Sequence, residues 1–170
     1  MLKPAILYKD ELTKLFAEQL YTDNFFYYNG YQYANSIPEI KAEDDLFQYA
    51  IVDEISLMNR PAHEYIAGFL TYRIWTSTDT VQSFGLYSFD ERNTTIGKDV
   101  YCMLRLLVKK HRRLEWRMIG GNPVQRTYDH FCEKFGGHKV VLHDVVLDNN
   151  GHYHDEHIYE IVNYRGGSKI

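Results

Sequence analysis

The sequence has 170 residues, 45% apolar and 25% charged, with a net charge of -4. That balance supplies enough apolar surface for a folded core and excludes a globally disordered chain. It argues against a surface given over to nucleic acid, and no window approaches about 18 uncharged apolar residues, so no membrane-crossing helix is expected.

The start, "MLKPAILYKDEL", lacks a long apolar run followed by small residues, and so predicts no signal peptide. Cys102 and Cys132 belong to no Cys-x-x-Cys pair. They read as reduced, partly buried thiols of a cytoplasmic protein. Repeats and linkers are absent, so residues 1–170 read as one domain.

Leu12, Leu15, Phe16 and Leu20 share one face of a predicted helix over Asp10–Leu20, with Asp10 as its cap. The aromatic, Gly-broken stretch Tyr21–Asn35 predicts loop with short helical turns. Ser36-Ile37-Pro38-Glu39 carries a capping-box pattern for a short helix. Phe47–Glu54 and Tyr65–Trp75 are rich in β-branched and aromatic residues and predict an antiparallel hairpin. Thr80–Phe89 predicts a third strand, in which Gly85 signals a bulge or a close backbone approach.

Lys98–His111 is the clearest helix, with Val100, Met103, Leu104, Leu107 and Val108 as its stripe. The cations of Lys109–Arg113 crowd its C-terminal end, where the helix dipole favours them. Leu114–Ile119 predicts a short strand, parallel to Thr80–Phe89 through the helical crossover. Pro123–Phe135 predicts a second strong helix, capped by Asn122 and ended by Gly136-Gly137. Lys139–Leu147 and His157–Val162 complete an α/β fold with a mixed sheet, joined by the turn-rich "DNNGHYHDE".

The stretch between the third strand and the helix reads "RNTTIGKDV". A helix start offers unpaired N–H groups and partial positive charge, so it can hold an anion. Gly97 permits close approach, while Arg92, Thr94 and Thr95 can donate; Asp99, as a cap, would compete with the anion. A capped polar turn without a ligand fits the same residues.

The element order and this turn resemble the GCN5-related N-acetyltransferases. That family holds the pyrophosphate of acetyl-CoA in a loop written Arg/Gln-x-x-Gly-x-Gly/Ala. Arg92, Ile96 and Gly97 match its pattern, and Thr95 stands where the family has glycine. The resemblance spans 47–162, with Asp10–Leu20 fitting the family's first helix. It implies a sheet of about six to seven strands flanked by helices on both faces. It also implies acetyl-CoA as co-substrate, bound by Leu86, Tyr87, Ser88, Arg92, Thr94, Thr95, Ile96, Gly97, Lys98 and Asn122. The acceptor is an amine on a small molecule or a protein, and homodimers are common in the family. Pantetheine would lie in a V-shaped opening between Thr80–Phe89 and Leu114–Ile119.

The family's general acid, a Tyr four residues before the helix-ending Gly, falls on Cys132 here. Tyr128 lies one turn earlier on the same face, so it is either the acid or a core aromatic. For the base only Glu91 is named, with Asp90 and Glu115 equally readable as solvated charges. Thr95, the displaced Tyr and the lack of a strand carboxylate leave a second reading open: a non-catalytic binding or structural protein of the same fold. The Tyr21–Tyr33 segment would wall the acceptor site and suit a cationic or aromatic amine. A third reading builds a metal site on His143, His152, His154 and His157 with Asp144 and Asp155, a segment that reads more simply as a solvated turn.

Overall fold

The computed structural model describes residues 1–20, 22–29, 37–55, 63–90, 93–148 and 150–164. Among them, seven strands form one mixed sheet: β1 (Leu2–Pro4), β2 (Leu46–Ile55), β3 (His63–Trp75), β4 (Thr80–Ser88), β5 (Arg113–Ile119), β6 (His138–Leu147) and β7 (Tyr153–Val162). Their spatial order is β1-β2-β3-β4-β5-β7-β6. The expected hairpin is present as antiparallel β2 and β3, and β4 continues the meander. β4 and β5 are parallel, as the crossover requires, and α3 (Thr94–Lys110) connects them.

Helices cover both faces. On one face α1 (Lys9–Gln19) and α2 (Asp23–Asn29) bury Leu12, Phe16 and Phe25 against Val52, Phe69 and Tyr87. On the other, α3 and α4 (Gln125–Lys134) bury Val100, Leu104, Phe131 and Cys132 against Leu70, Val81, Trp116 and Tyr159. Trp116 and Tyr159 are fully buried and stack with centroids 4.9 Å apart, which locks β5 to β7.

Several boundaries differ from the sequence reading. β1 was not expected, because three residues carry no measurable alternation. Tyr8, not Asp10, stands at the α1 N-cap, and Asp10 lies in the first turn. Residues 37–40 are not helical, and Ser36 lies outside the described residues. α4 starts at Gln125, two residues late, because the Asn122 side chain accepts the Val124 N–H before the helix begins. β7 starts at Tyr153, not His157. The Asp148 carboxylate gathers the N–H groups of Asn150 and His152, so the turn closes tightly and the histidines run on as strand. Cys132 is buried as expected, but Cys102 is exposed on α3.

Candidate functional site

The parallel pairing of β4 and β5 stops almost where it begins. Only Thr80↔Arg113 and Val81↔Leu114 are in register. Beyond them a bulge bends β4: Thr71 faces Gly85 while Arg73 faces Gln82, so Ser83 and Phe84 of β4 together lie opposite Tyr72, one residue in excess. Ser83 sits at that bulge with φ 54°. Gly85, expected at the bulge, follows it and serves close approach instead. A Cβ there would lie 3.1 Å from Thr71 Cγ2 and 3.4 Å from Tyr28 Cε2.

A cavity of ≈ 540 Å³ occupies the opening. β4 lines it with Phe84–Ser88, β5 with Arg117 and Met118, α3 with Ile96 to Leu104, and the start of α4 with Asn122 to Tyr128. Tyr27 and Tyr28 of α2 close it from the opposite face. α2 lies across the gap: Tyr28 packs on Gly85 of β4, the Tyr27 hydroxyl lies over Gly121 after β5, and Phe26 meets His154 of β7. Part of the aromatic segment therefore does wall the cavity.

The first turn of α3 is "TTIG" itself. The helix starts at Thr94, four residues before the expected Lys98. Ile96 lies one turn before Val100 and continues the buried stripe, a signal that was present in the spacing. Asn93 is the cap: its Oδ1 accepts the Thr95 N–H at 2.9 Å, while its Nδ2 donates to Asp53 and to the Tyr65 hydroxyl. The Asn93 N–H goes to Asp90 O. Of the four N–H groups a helix leaves open, those of Thr94 and Ile96 have no acceptor among the described residues. Asp99 is not the cap; it pairs with the Met1 amino group. Gly97 has ordinary helical φ, and its Cβ position faces open space. Its value there is access, not left-handed backbone.

The expected site residues divide as follows. Leu86, Tyr87, Ser88, Ile96, Gly97, Asn122 and Tyr128 all line the cavity. Thr94, Thr95 and Lys98 belong to the same helix start but do not line it. Arg92 and Glu91 lie outside the described residues. The Ser88 Oγ is buried with no hydrogen-bond partner among the described residues. The Tyr87 side chain turns to the α1 face and donates to Gln19 Oε1 at 3.1 Å.

Tyr128 is a core aromatic that also reaches the cavity. It packs in the core against Trp116 and Tyr159, and it lines the cavity. Its hydroxyl has no hydrogen-bond partner among the described residues, and burial raises its pKa, so it is a protonated donor at neutral pH. Cys132 is corrected as an acid candidate. It does not line the cavity; its Sγ points to the His138 and Glu160 carbonyls under β6 and β7, and burial raises its pKa. Cys132 faces the sheet because Gly137 lets the chain cross there: a Cβ on Gly137 would lie 2.6 Å from the sulfur.

Among the other charged candidates, Glu115 pairs with Arg113 at 2.9 Å. Along the basic run, His111 and the Arg112 N–H hold Asp79, and Arg113 also reaches Glu160. The late histidines pair with carboxylates rather than converge: His143 with Asp155, and His152 and His154 with Asp148. No cluster of three or more metal-ligating side chains forms among the described residues.

Sequence reasoning missed Asn93, Arg117, Met118 and Thr127. Only Asn93 carried a signal, as a polar cap one helical turn before Gly97.

No protein-family model matches the sequence, and no curated protein matches it significantly. Solved structures do match in fold. A probable acetyltransferase of the GNAT family from Chromobacterium violaceum superposes with a TM-score of 0.56 at 17% identity, over 95% of this chain and 85% of that one. An N-acetyltransferase from Staphylococcus aureus gives 0.58 at 14%, over 95% and 97%. Arabidopsis thaliana NAA60, in complex with a bisubstrate analogue, gives 0.59 at 14%, over 96% and 98%. The chain therefore has the fold of the GCN5-related N-acetyltransferases.

Proposed function

We propose that this chain, built on that fold, is an acetyl-CoA-dependent N-acetyltransferase acting on a primary amine. One observation carries the reading: β4 and β5 part after two paired residues over the ≈ 540 Å³ cavity. Strand edges with unmet N–H and C=O groups need a partner, and an extended amide chain such as pantetheine supplies one. Three features suit the rest of an acyl-CoA. Among the described residues the Ser88 Oγ is buried and unpartnered, the Thr94 and Ile96 N–H groups are open, and space lies in front of Gly97. Asn122, at the mouth of α4, suits the pantetheine amides.

The bound thioester would supply an activated acetyl carbonyl. A neutral amine entering from the α2 face forms the new C–N bond as the C–S bond breaks. Tyr128 gives its proton to the departing sulfur and is reprotonated from solvent as the amine's proton is released there. Tyr27 and Tyr28 exclude water from that side.

A second reading, a coenzyme-binding relative without transfer, is favoured by one fact: no Asp or Glu lines the cavity among the described residues. The two separate in one series. Acetyl-CoA at millimolar concentration should raise the melting temperature by several degrees if its Kd is micromolar. Thiol release with an amine panel then indicates transfer, and a melting shift without release indicates binding alone. No melting shift at all overturns both.

A further inference from the structure

Resting on the transferase reading, we infer that the acceptor carries a carboxylate a few bonds from its reactive nitrogen, as an amino acid does, and that Arg117 receives it. Arg117 is the one charged side chain among the described residues lining the cavity. Strand alternation sets its direction: Trp116 and Met118 point to the α3 and α4 core, so Arg117 points to the opposite face, the one from which Tyr27 and Tyr28 line the same cavity. With the coenzyme lying against α3, the acceptor would occupy that side.

The guanidinium is positioned but not used up. Its Nη1 donates to Glu156 Oε2 at 3.3 Å, the single partner it has among the described residues. The Glu156 side chain is 11% exposed and that of Arg117 is 53% exposed, so a buried carboxylate anchors a cation whose outer edge is free. Guanidinium has five N–H donors in a rigid fork, and Glu156 takes one. The rest match a second carboxylate in two parallel hydrogen bonds. The guanidinium is 53% exposed, so solvent screens the charge in part and the two-point geometry supplies the selectivity.

On this inference an aromatic amine suits the cavity better than a cationic one. Tyr27 and Tyr28 alone would welcome a cation, but Arg117 repels a second positive charge in the same space. An acceptor with an aromatic or aliphatic body, one amine and one carboxylate fits all three residues.

The test is thiol release from acetyl-CoA with matched acceptors: phenylalanine against phenethylamine, and leucine against isoamylamine. The wild-type chain should favour the carboxylated member of each pair by roughly tenfold to a hundredfold in kcat/KM, as a charged hydrogen-bonded pair requires. Arg117→Met should collapse that ratio toward one, and Arg117→Lys should restore part of it. Retention of the acetyl-CoA melting shift shows that each variant is folded. Equal or better use of the decarboxylated amines by wild type overturns the inference while leaving the transferase reading intact. A ratio unchanged in Arg117→Met also overturns it. Coenzyme binding without release from any acceptor removes it together with the transferase reading and leaves the binding protein.

Discussion

The two edges of β5 behave in opposite ways. Toward β7 it is paired along its whole length, from Arg113↔Val162 to Ile119↔Glu156. Toward β4 it is paired at two residues and then open. The closed edge is held by the Trp116–Tyr159 stack, with Tyr128 and Phe131 packed edge-on above it. The open edge has a bulge at Ser83 that turns β4 away. One strand thus serves as scaffold on one side and as cavity wall on the other, and the rigid side holds the working side in place.

The comparison breaks hardest at the closed edge. Trp116→Ala should cost about 3–5 kcal/mol by leaving a cavity in a fully buried stack, lowering the melting temperature by about 10 °C or more. A smaller loss, read by chemical denaturation, would mean that β5 and β7 hold without their aromatic seam. On the open edge, Tyr128→Phe removes a hydroxyl that has no partner among the described residues. Thiol release should fall about 100-fold while melting moves by no more than a degree or two. A large drop in stability with normal turnover would make Tyr128 a core residue only.

Gly97→Leu sharpens the comparison because its two effects have opposite signs. A side chain there fills open space and replaces glycine inside a helix, so the free protein should gain about 0.5–1 kcal/mol. Coenzyme affinity by calorimetry should fall about tenfold or more. Back on the closed edge, Tyr159→Phe deletes the bond to Asp129 Oδ1 (2.7 Å), an oxygen that Lys139 also holds at 2.7 Å. Because the carboxylate keeps that partner, the loss should be about 1 kcal/mol, or roughly 2–4 °C.

The smallest effect lies in the β6–β7 turn, far from the open edge. The His154 ring, then the His152 and Asn150 N–H groups, hold the Asp148 carboxyl down to about 2 against burial. A lowered carboxyl pKa contributes stability above its ordinary value that is lost as pH falls through the folded one. Asp148→Asn should therefore melt earlier than wild type near neutral pH. That gap should close as pH falls from about 4 toward 2. A gap independent of pH would mean that the turn depends on shape rather than charge.

Much of the architecture was legible because it rests on local periodicity. Leu104, Leu107 and Val108 repeat at helical spacing and bury as expected. The β-branched runs of β2 and β3 pair as expected. The missed boundaries are those where one side chain decides: Asn93 starts α3 a turn early, and Asp148 closes the turn before β7. Leu86, Ser88, Gly97, Asn122 and Tyr128, which the family resemblance had singled out, line the cavity. Arg117 was not, because on an isolated strand an Arg between Trp116 and Met118 reads as an ordinary solvated residue.

By itself the sequence determined the longer helices and strands, that β4 and β5 run parallel, and that a helix start with an accessible glycine follows β4. Those follow from residue spacing, turn chemistry and the handedness of crossovers, all of which act over short distances. Tertiary structure alone decided how soon β4 and β5 part, that Tyr128 reaches the cavity while Cys132 does not, and that Glu156, 39 residues from Arg117, anchors it at the cavity. These depend on a bulge, a close chain crossing at Gly137 and a cross-strand ion pair. Each joins residues whose separation along the chain carries no periodic trace.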